Sequence, residues 1–346
     1  LNSLSLFVNM MMTVILIKAG ASIHIVKIVS TLAFALRPIV LYFVVTRNYK
    51  LDKKVEPNNV ILKQRWDGLA QHIAFFIHKN TDAVVLTILA NVKEVSVYSV
   101  YMLAVSGCSK LVNIFSSSLE PAFGNMIAKG ESETLKKRVR LCSTLTIQVA
   151  IILFSTAAIA VSPFIKLYTR GVTDVDYLRP AFGIVMLIAE GFYCVRLPYQ
   201  SVVYAAGHFK QTRNGAIMEA VLNLSISVVL VFKHGLIGVA IGTLISMLFR
   251  TLQYIYYYWA NLIGEKDGLK KEAFRIVIST IEIGVIILFA SFVPEVSSLS
   301  YMQWMLSSCL VGIGCSVIVG FVSLIFYRTE CQELFLFVKR LISRSS

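Results

Sequence analysis

Lysine and arginine are distributed along this 346-residue chain in a way that strongly restricts its fold. Of the 33 basic residues, 21 fall in five segments that alternate with loops holding only seven. The basic segments are 47–66, 127–140, 206–214, 262–275 and 328–346. The loops with few basic residues are 18–27, 90–95, 163–180, 233–235 and 294–301. Loops rich in lysine and arginine stay in the cytoplasm. The alternation therefore predicts a multi-pass membrane protein with a cytoplasmic C-terminus.

Ten apolar stretches connect these loops, and most are about long enough to cross a bilayer, which takes roughly 20 residues. They cover residues 2–17, 28–46, 67–89, 96–125, 141–162, 181–205, 215–232, 236–260, 275–293 and 303–327. Since lipid offers the backbone no hydrogen-bond partner, each must be a helix. We therefore expect an all-α integral membrane protein, a transporter-like bundle of about ten transmembrane helices.

Composition supports the membrane and argues against nucleic acid as a partner. Hydrophobic residues make up 57% of the chain and charged residues 15%, with a mean hydropathy of +0.73. The net charge of +14 lies in short loops beside apolar stretches, where orientation and anionic membrane lipids explain it. The segment 328–346 repeats apolar residues between basic ones, which predicts an amphipathic helix on the inner membrane surface.

The sequence contains no motif typical of a catalytic, cofactor-binding or metal site. The six cysteines show no Cys-x-x-Cys and no Cys/His ligand spacing, so neither a metal site nor a disulfide framework is predicted. There is no Walker loop, no dinucleotide-binding glycine fingerprint and no His-Glu-x-x-His. We therefore predict no catalytic residues, no cofactor and no enzymatic activity.

Five cations lie inside the apolar stretches, where each costs about 2.5–3.5 kcal/mol if it faces lipid. They are Arg37, Lys79, Lys110, Arg196 and Arg250. Such residues face a watery cavity or find partners, so these five are the candidate contacts for an anionic substrate. The alternative is pairing with the in-span acids Asp82, Glu120, Glu190, Glu219 and Glu282. Lys79 and Asp82, three residues apart, can meet on one helix face, whereas Glu120 and Glu219 lie nearer the cytoplasmic ends, where they can reach water.

The segment 72–82 is the densest polar run in any span. It contributes the further cavity candidates His72, His78, Asn80 and Asp82, and Glu190 joins them from another span. A catalytic His–Asp pair is one interpretation of this run. The other is that its polar side chains face neighbouring helices and hold the bundle together.

Two stretches resemble the bacterial polysaccharide-export flippases, within the multidrug/oligosaccharidyl-lipid/polysaccharide exporter superfamily. Residues 72–131 read HIAFFIHKNTDAVVLTILANVKEVSVYSVYMLAVSGCSKLVNIFSSSLEPAFGNMIAKGE, and residues 203–250 include the run Gly235-Leu-Ile-Gly238-Val-Ala-Ile-Gly242-Thr followed by Arg250. This resemblance implies two six-helix lobes around a central cavity, with two further C-terminal helices.

On that template the chain divides into five parts. Residues 1–46 are the last two helices of a truncated N-terminal lobe, 47–66 the cytoplasmic inter-lobe loop, 67–262 the second six-helix lobe, 272–327 two C-terminal transmembrane helices and 328–346 the tail. The first four helices of the first lobe are absent, and we expect the chain to begin partway through a longer protein.

The resemblance implies flipping of a lipid-linked oligosaccharide across the bacterial cytoplasmic membrane for surface polysaccharide biosynthesis. The substrate would carry a pyrophosphate on a polyprenyl chain, and polysaccharide-assembly proteins are the candidate protein partners. Two alternatives stay open. A cation-coupled drug or metabolite exporter of the same superfamily favours acidic cavity residues such as Asp82, Glu190 and Glu282, and an integral-membrane polysaccharide polymerase would need a reactive loop.

Overall fold

The computed structural model describes residues 2–49, 65–293 and 300–345, with side chains from 5 onward and up to 336. Most of the predicted inter-lobe loop, the loop before residue 300 and the apolar face of the C-terminal tail beyond residue 336 lie outside this description.

In the described ranges the regular structure is entirely helical. The α-helices are α1 (Asn2–Lys18), α2 (Ile23–Asn48), α3 (Arg65–Leu89), α4 (Val92–Ser117), α5 (Glu120–Ala128), α6 (Ser132–Tyr168), α7 (Pro180–Ala205), α8 (Phe209–Tyr257), α9 (Asp267–Ala290), α10 (Tyr301–Phe326) and α11 (Arg328–Ser345), and a π-helical segment, Tyr258–Ile263, follows α8.

Seven helical stretches among the described residues are long and apolar enough to cross a membrane, and α1 adds a shorter apolar helix, Ser5–Lys18. The all-α membrane fold predicted from the sequence is thus confirmed, and the chain is a multi-pass membrane protein. The count is below ten for identifiable reasons. Helix α8 contains two of the predicted spans, and the polar run near the middle of α3 lowers its hydropathy.

Helix α8 is two arms joined at Gly235. This residue has φ 53° and ψ −130°, a backbone conformation that only glycine adopts readily. The arms lie side by side, since Ser227 Oγ donates to the carbonyl of Val239 at 3.4 Å. A Cβ on Gly238 would lie 2.4 Å from the Leu230 carbonyl oxygen, so glycine permits the close approach. The arms correspond to the predicted spans 215–232 and 236–260.

The predicted span 96–125 is broken rather than continuous. Helix α4 ends at Ser117 and α5 begins at Glu120, with Pro121 in its first turn. Proline fits a first turn because the N–H it lacks has no partner there in any case. A two-residue turn at 118–119 thus interrupts the helix within this span.

Contacts divide the chain into two units, residues 1–62 and 63–346. In the first unit α1 and α2 pack on each other, and no described residue of α2 is buried. In the second unit α3, α4, α6, α7 and α8 enclose the largest apolar core, and α9 and α10 pack on α6 through a smaller one. The finer domain boundaries expected from the family resemblance remain predictions.

Candidate functional site: a buried cationic network

The second unit holds a network of charged side chains between α3, α7 and α8. Helix α3 supplies it because polar residues recur on one face of that helix, including Gln71, His78 and Asp82, all of which are buried. That face packs against α8, the most extensive helix–helix contact in the protein. The buried members of the predicted polar run, His78, Thr81 and Asp82, therefore point into the bundle, whereas His72 and Asn80 are exposed.

Glu219 on α8 is the anion at the centre of this network. Its Oε1 accepts a hydrogen bond from Arg196 Nη1 at 2.6 Å, and Arg250 Nε lies 3.6 Å from Oε2. His78 Nε2 is 3.9 Å from Oε1. All four side chains are at most 3% exposed. A carboxylate this deep is tolerated because it is paired, and removing one partner of such a buried pair is strongly destabilising.

Arg250 has several further partners, which explains how a guanidinium is held inside the bundle. It donates to the carbonyl of Thr212 at 2.9 Å and to the Tyr254 hydroxyl at 2.8 Å, and it also bonds the side-chain oxygen of Gln253. The guanidinium lies 4.3 Å from the centre of the Tyr254 ring. These contacts lock it in place on α8.

Lys79 pairs with Glu190 of α7 at the edge of the network. The carboxylate is 1% exposed, whereas the lysine side chain is 30% exposed. The ring of Tyr193 lies between two cations, with Lys79 Nζ 4.7 Å and the Arg196 guanidinium 4.9 Å from its centre. A ring face attracts cations, so Tyr193 holds both. Lys79 is the member of the network that reaches the surface of the unit.

Asp82 belongs to a separate set of oxygen atoms. It accepts from Thr243 Oγ1 at 2.7 Å and from Asn223 Nδ2 at 3.2 Å. No lysine, arginine or histidine among the described residues lies within ion-pair distance of it. Asn223 Oδ1 is buried without a hydrogen-bond partner, and the carbonyl of Val239 lies beside Thr243 and Ser227. Carboxylate, amide, hydroxyl and carbonyl oxygens are the ligands that hard cations prefer, so this set can hold an ion such as Na⁺.

A transition-metal site is not formed in the described part of the chain, where no group of three or more His, Cys, Asp or Glu side chains is suitably placed. The six cysteines are free.

Five of the ten predicted site residues belong to the cationic network of the second unit, namely His78, Lys79, Glu190, Arg196 and Arg250. A sixth, Asp82, is buried in the same unit with Asn223 and Thr243. Three others are exposed on their helices, namely His72, Asn80 and Lys110. Asn80 donates to the Phe76 carbonyl of its own helix at 2.7 Å. Arg37 lies in the first unit, where it donates to Ser5 Oγ at 2.6 Å and stacks over Phe34 at 4.6 Å.

Two expectations about pairing are wrong. Lys79 does not pair with Asp82, because the lysine reaches across to Glu190 of α7 while Asp82 turns toward α8. Glu219 does not reach water, because Arg196 and Arg250 enclose it within the bundle. Helix periodicity alone does not show that Lys79 has a partner on a neighbouring helix. The position of Glu219 along its span does not show how deeply the side chain is buried.

Sequence reasoning missed Tyr193, Asn223 and Thr243. A signal for Asn223 was present, since Glu219, Asn223 and Ser227 recur every four residues in an otherwise apolar segment. That spacing places three polar side chains on one helix face. Thr243 ends the glycine-rich run already recognised, but nothing in the sequence marks its hydroxyl as a partner of Asp82.

No protein-family model and no curated protein matches the sequence. Among solved structures, the chain is similar to the lipid II flippase MurJ in an inward closed conformation, with a TM-score of 0.57 and 18% sequence identity. The matched region covers 88% of this chain and 63% of that one. The likeness at this identity is one of fold. The chain therefore has an all-helical membrane fold similar to that of this neighbour and spans less than two thirds of its length.

Proposed function

We propose that this chain belongs to a flippase that moves a lipid-linked oligosaccharide across the bacterial cytoplasmic membrane, with its C-terminus in the cytoplasm. The cargo would be a polyprenyl-pyrophosphate-linked glycan destined for a surface polysaccharide, handed on to polysaccharide-assembly proteins. The fold of a lipid II flippase and the basic loops that would face anionic lipids support this proposal.

The observation that carries the proposal is Lys79, a partly exposed cation at the edge of a network that holds more cations than carboxylates. Lys79, Arg196 and Arg250 are three cations, whereas the carboxylates that pair with them are two, Glu190 and Glu219. A bundle built for stability alone gains little from burying such groups, because desolvation offsets their attraction. Two carboxylates balance only two of the three positive charges, and the Lys79 side chain is partly exposed beside them. Positive charge of this kind would stabilise a bound pyrophosphate where water is scarce.

The test separates pairing from cargo contact by removing the pair as a whole. In the full-length protein, Lys79→Gln combined with Glu190→Gln leaves two neutral amides that can hydrogen-bond to each other, so the bundle keeps its packing without the exposed cation. We expect normal protein abundance and a loss of surface polysaccharide. Lys129→Gln, which removes an exposed cation from a basic loop, is the matched control and leaves export unchanged. Full export by the double variant at normal abundance would contradict the proposal.

A second candidate, a cation-coupled exporter of drugs or metabolites, is favoured by Asp82. Its oxygen-rich surroundings lack a basic partner among the described residues, as expected if an inorganic cation neutralises it in turn. The two candidates differ in cargo. Deleting the gene and measuring both surface polysaccharide and drug susceptibility decides between them, since loss of polysaccharide with unchanged susceptibility supports the flippase and the reverse supports the drug exporter.

A further inference from the structure

Glu282 is a buried carboxyl group that the cationic network does not use. It lies 15 residues after the start of α9 at Asp267 and eight before its end at Ala290, which places it about 22 Å and about 12 Å from the helix ends. Its side chain is fully buried. Neither carboxyl oxygen has a hydrogen-bond partner. In contrast to Glu190 and Glu219, it has no basic side chain within ion-pair distance in the described ranges.

Gln148 of α6 faces Glu282 across the contact between the two helices. It is 7% exposed, and neither its amide oxygen nor its amide nitrogen has a hydrogen-bond partner. The pair lies beside an apolar cluster that α6, α9 and α10 form together. This cluster includes Ile147, Ile151 and Ile286. The carboxyl group of Glu282 and the amide of Gln148 are thus buried close together, and no well-formed hydrogen bond joins them to each other or to another group.

The other charged or titratable groups on the neighbouring elements are engaged elsewhere or uncharged. Arg275, two turns below Glu282 on α9, bonds Glu272 at 2.9 Å and Thr144 at 2.8 Å. Glu330 at the start of α11 accepts from Arg140 of α6 at 2.5 Å. Cys142 on α6, Cys315 on α10 and Tyr327 at the end of α10 are further buried titratable side chains, and none of them is a lysine, arginine or histidine. None of these groups supplies a positive charge to Glu282.

An ionised carboxylate at this depth would lack both a counter-ion and sufficient hydrogen-bond donors, which is costly in an apolar interior. A protonated carboxylic acid needs no counter-ion and brings a hydrogen-bond donor of its own. Its hydroxyl can donate to the Gln148 oxygen while its carbonyl accepts from the Gln148 nitrogen, so all four atoms gain a partner after a small adjustment. We propose that Glu282 and Gln148 form a proton-binding site between α6 and α9.

Binding at this site is a simple protonation, in which a proton from water adds to the carboxylate and no other bond changes. The site joins the C-terminal helix pair, α9 and α10, to the rest of the second unit. When Glu282 loses its proton, the new charge is costly in this apolar interface unless water or a cation reaches it.

Infrared spectroscopy of the purified full-length protein near neutral pH tests the site independently of transport. We expect the spectrum to contain a carboxylic-acid carbonyl band that disappears in Glu282→Gln. Glu272→Gln is the matched control, because Arg275 pairs with that carboxylate at 2.9 Å, and it leaves the band in place. A wild-type minus Glu282→Gln difference spectrum without such a band would overturn the proposal.

A second variant keeps Glu282 itself and guards against misfolding of the first. In Gln148→Leu the partner amide is removed, so the acid loses its hydrogen bonds and its carbonyl band shifts in frequency. An unchanged band frequency in Gln148→Leu would also overturn the proposal, since the proton would then lie elsewhere.

Discussion

Lys79 and Glu190, 111 residues apart in sequence, form an ion pair between α3 and α7 whose two members differ sharply in exposure. The carboxylate is 1% exposed and the lysine 30%. Glu190 is therefore enclosed by the bundle, whereas the lysine side chain is partly exposed and its ammonium group lies over the ring of Tyr193. A lysine held in this way keeps its position while part of its side chain remains open to a second anion.

This asymmetry predicts unequal effects of neutralising the two partners. Lys79→Gln leaves Glu190 buried without its cation, and we expect a loss of about 3–5 kcal/mol in the free energy of unfolding. Glu190→Gln leaves a lysine that can turn toward water, and we expect a loss of about 1 kcal/mol. Unfolding of the two purified variants in the same detergent measures the difference. Equal losses would mean that both groups are equally desolvated.

Glu219 is predicted to be the most sensitive carboxylate in the protein. Glu219→Gln leaves Arg196 and Arg250 without an anion in the core, so the free energy of unfolding should fall by about 3–5 kcal/mol. Glu133→Gln serves as the matched control, because Glu133 is 78% exposed where it pairs with Lys136, and exposed pairs contribute about 1 kcal/mol or less. A Glu219 variant as stable as this control would contradict the central role of the carboxylate.

Asp82 is predicted to make the stability of the protein depend on sodium. A ligand that binds only the folded state stabilises it by about 2.7 kcal/mol at a concentration 100-fold above its dissociation constant. We expect NaCl to raise the melting temperature of the wild-type protein above its value in choline chloride, and Asp82→Asn to abolish the difference. Asp174→Asn, in an exposed loop, retains it. A sodium effect that survives in Asp82→Asn places the ion elsewhere.

The fold class was predictable because a bilayer imposes simple rules on sequence. Spans must be long and apolar, and basic loops lie on one side. These rules located the helices without any knowledge of their contacts. They did not reveal the break after Ser117, because serine and leucine continue an apolar stretch as readily as they interrupt it. They also did not show how closely the arms of α8 approach, which depends on the fit of Gly238 against Leu230.

The site was predictable only as a set of residues. Counting charges in the spans identified Lys79, Glu190, Arg196 and Arg250, since a charge in hydrocarbon always needs an explanation. The pairing was not predictable, because Lys79 and Glu190 lie on different helices and their meeting depends on how α3 and α7 pack. The roles of Asn223 and Thr243 were hidden for the same reason: neutral polar side chains are common in membrane helices, and only their contact with Asp82 distinguishes these two.

Gly238 provides a test of the close packing of the two arms of α8 that hold Asn223 and Thr243. A Cβ at this position would lie 2.4 Å from the backbone oxygen and 2.6 Å from the backbone carbon of Leu230, and backbone atoms cannot turn aside as a side chain can. We expect Gly238→Ala to separate the arms and to reduce the free energy of unfolding by about 1–3 kcal/mol.

Gly284 is the matched control, since a Cβ there meets no atom within 4 Å. Because alanine favours a helix over glycine by about 1 kcal/mol, Gly284→Ala should be neutral or stabilising. The same separation of the arms should weaken the sodium effect in Gly238→Ala but leave it intact in Gly284→Ala, since Asp82 needs oxygens from both arms. A Gly238→Ala protein with wild-type stability and a wild-type sodium response would show that the arms are not held together at this point.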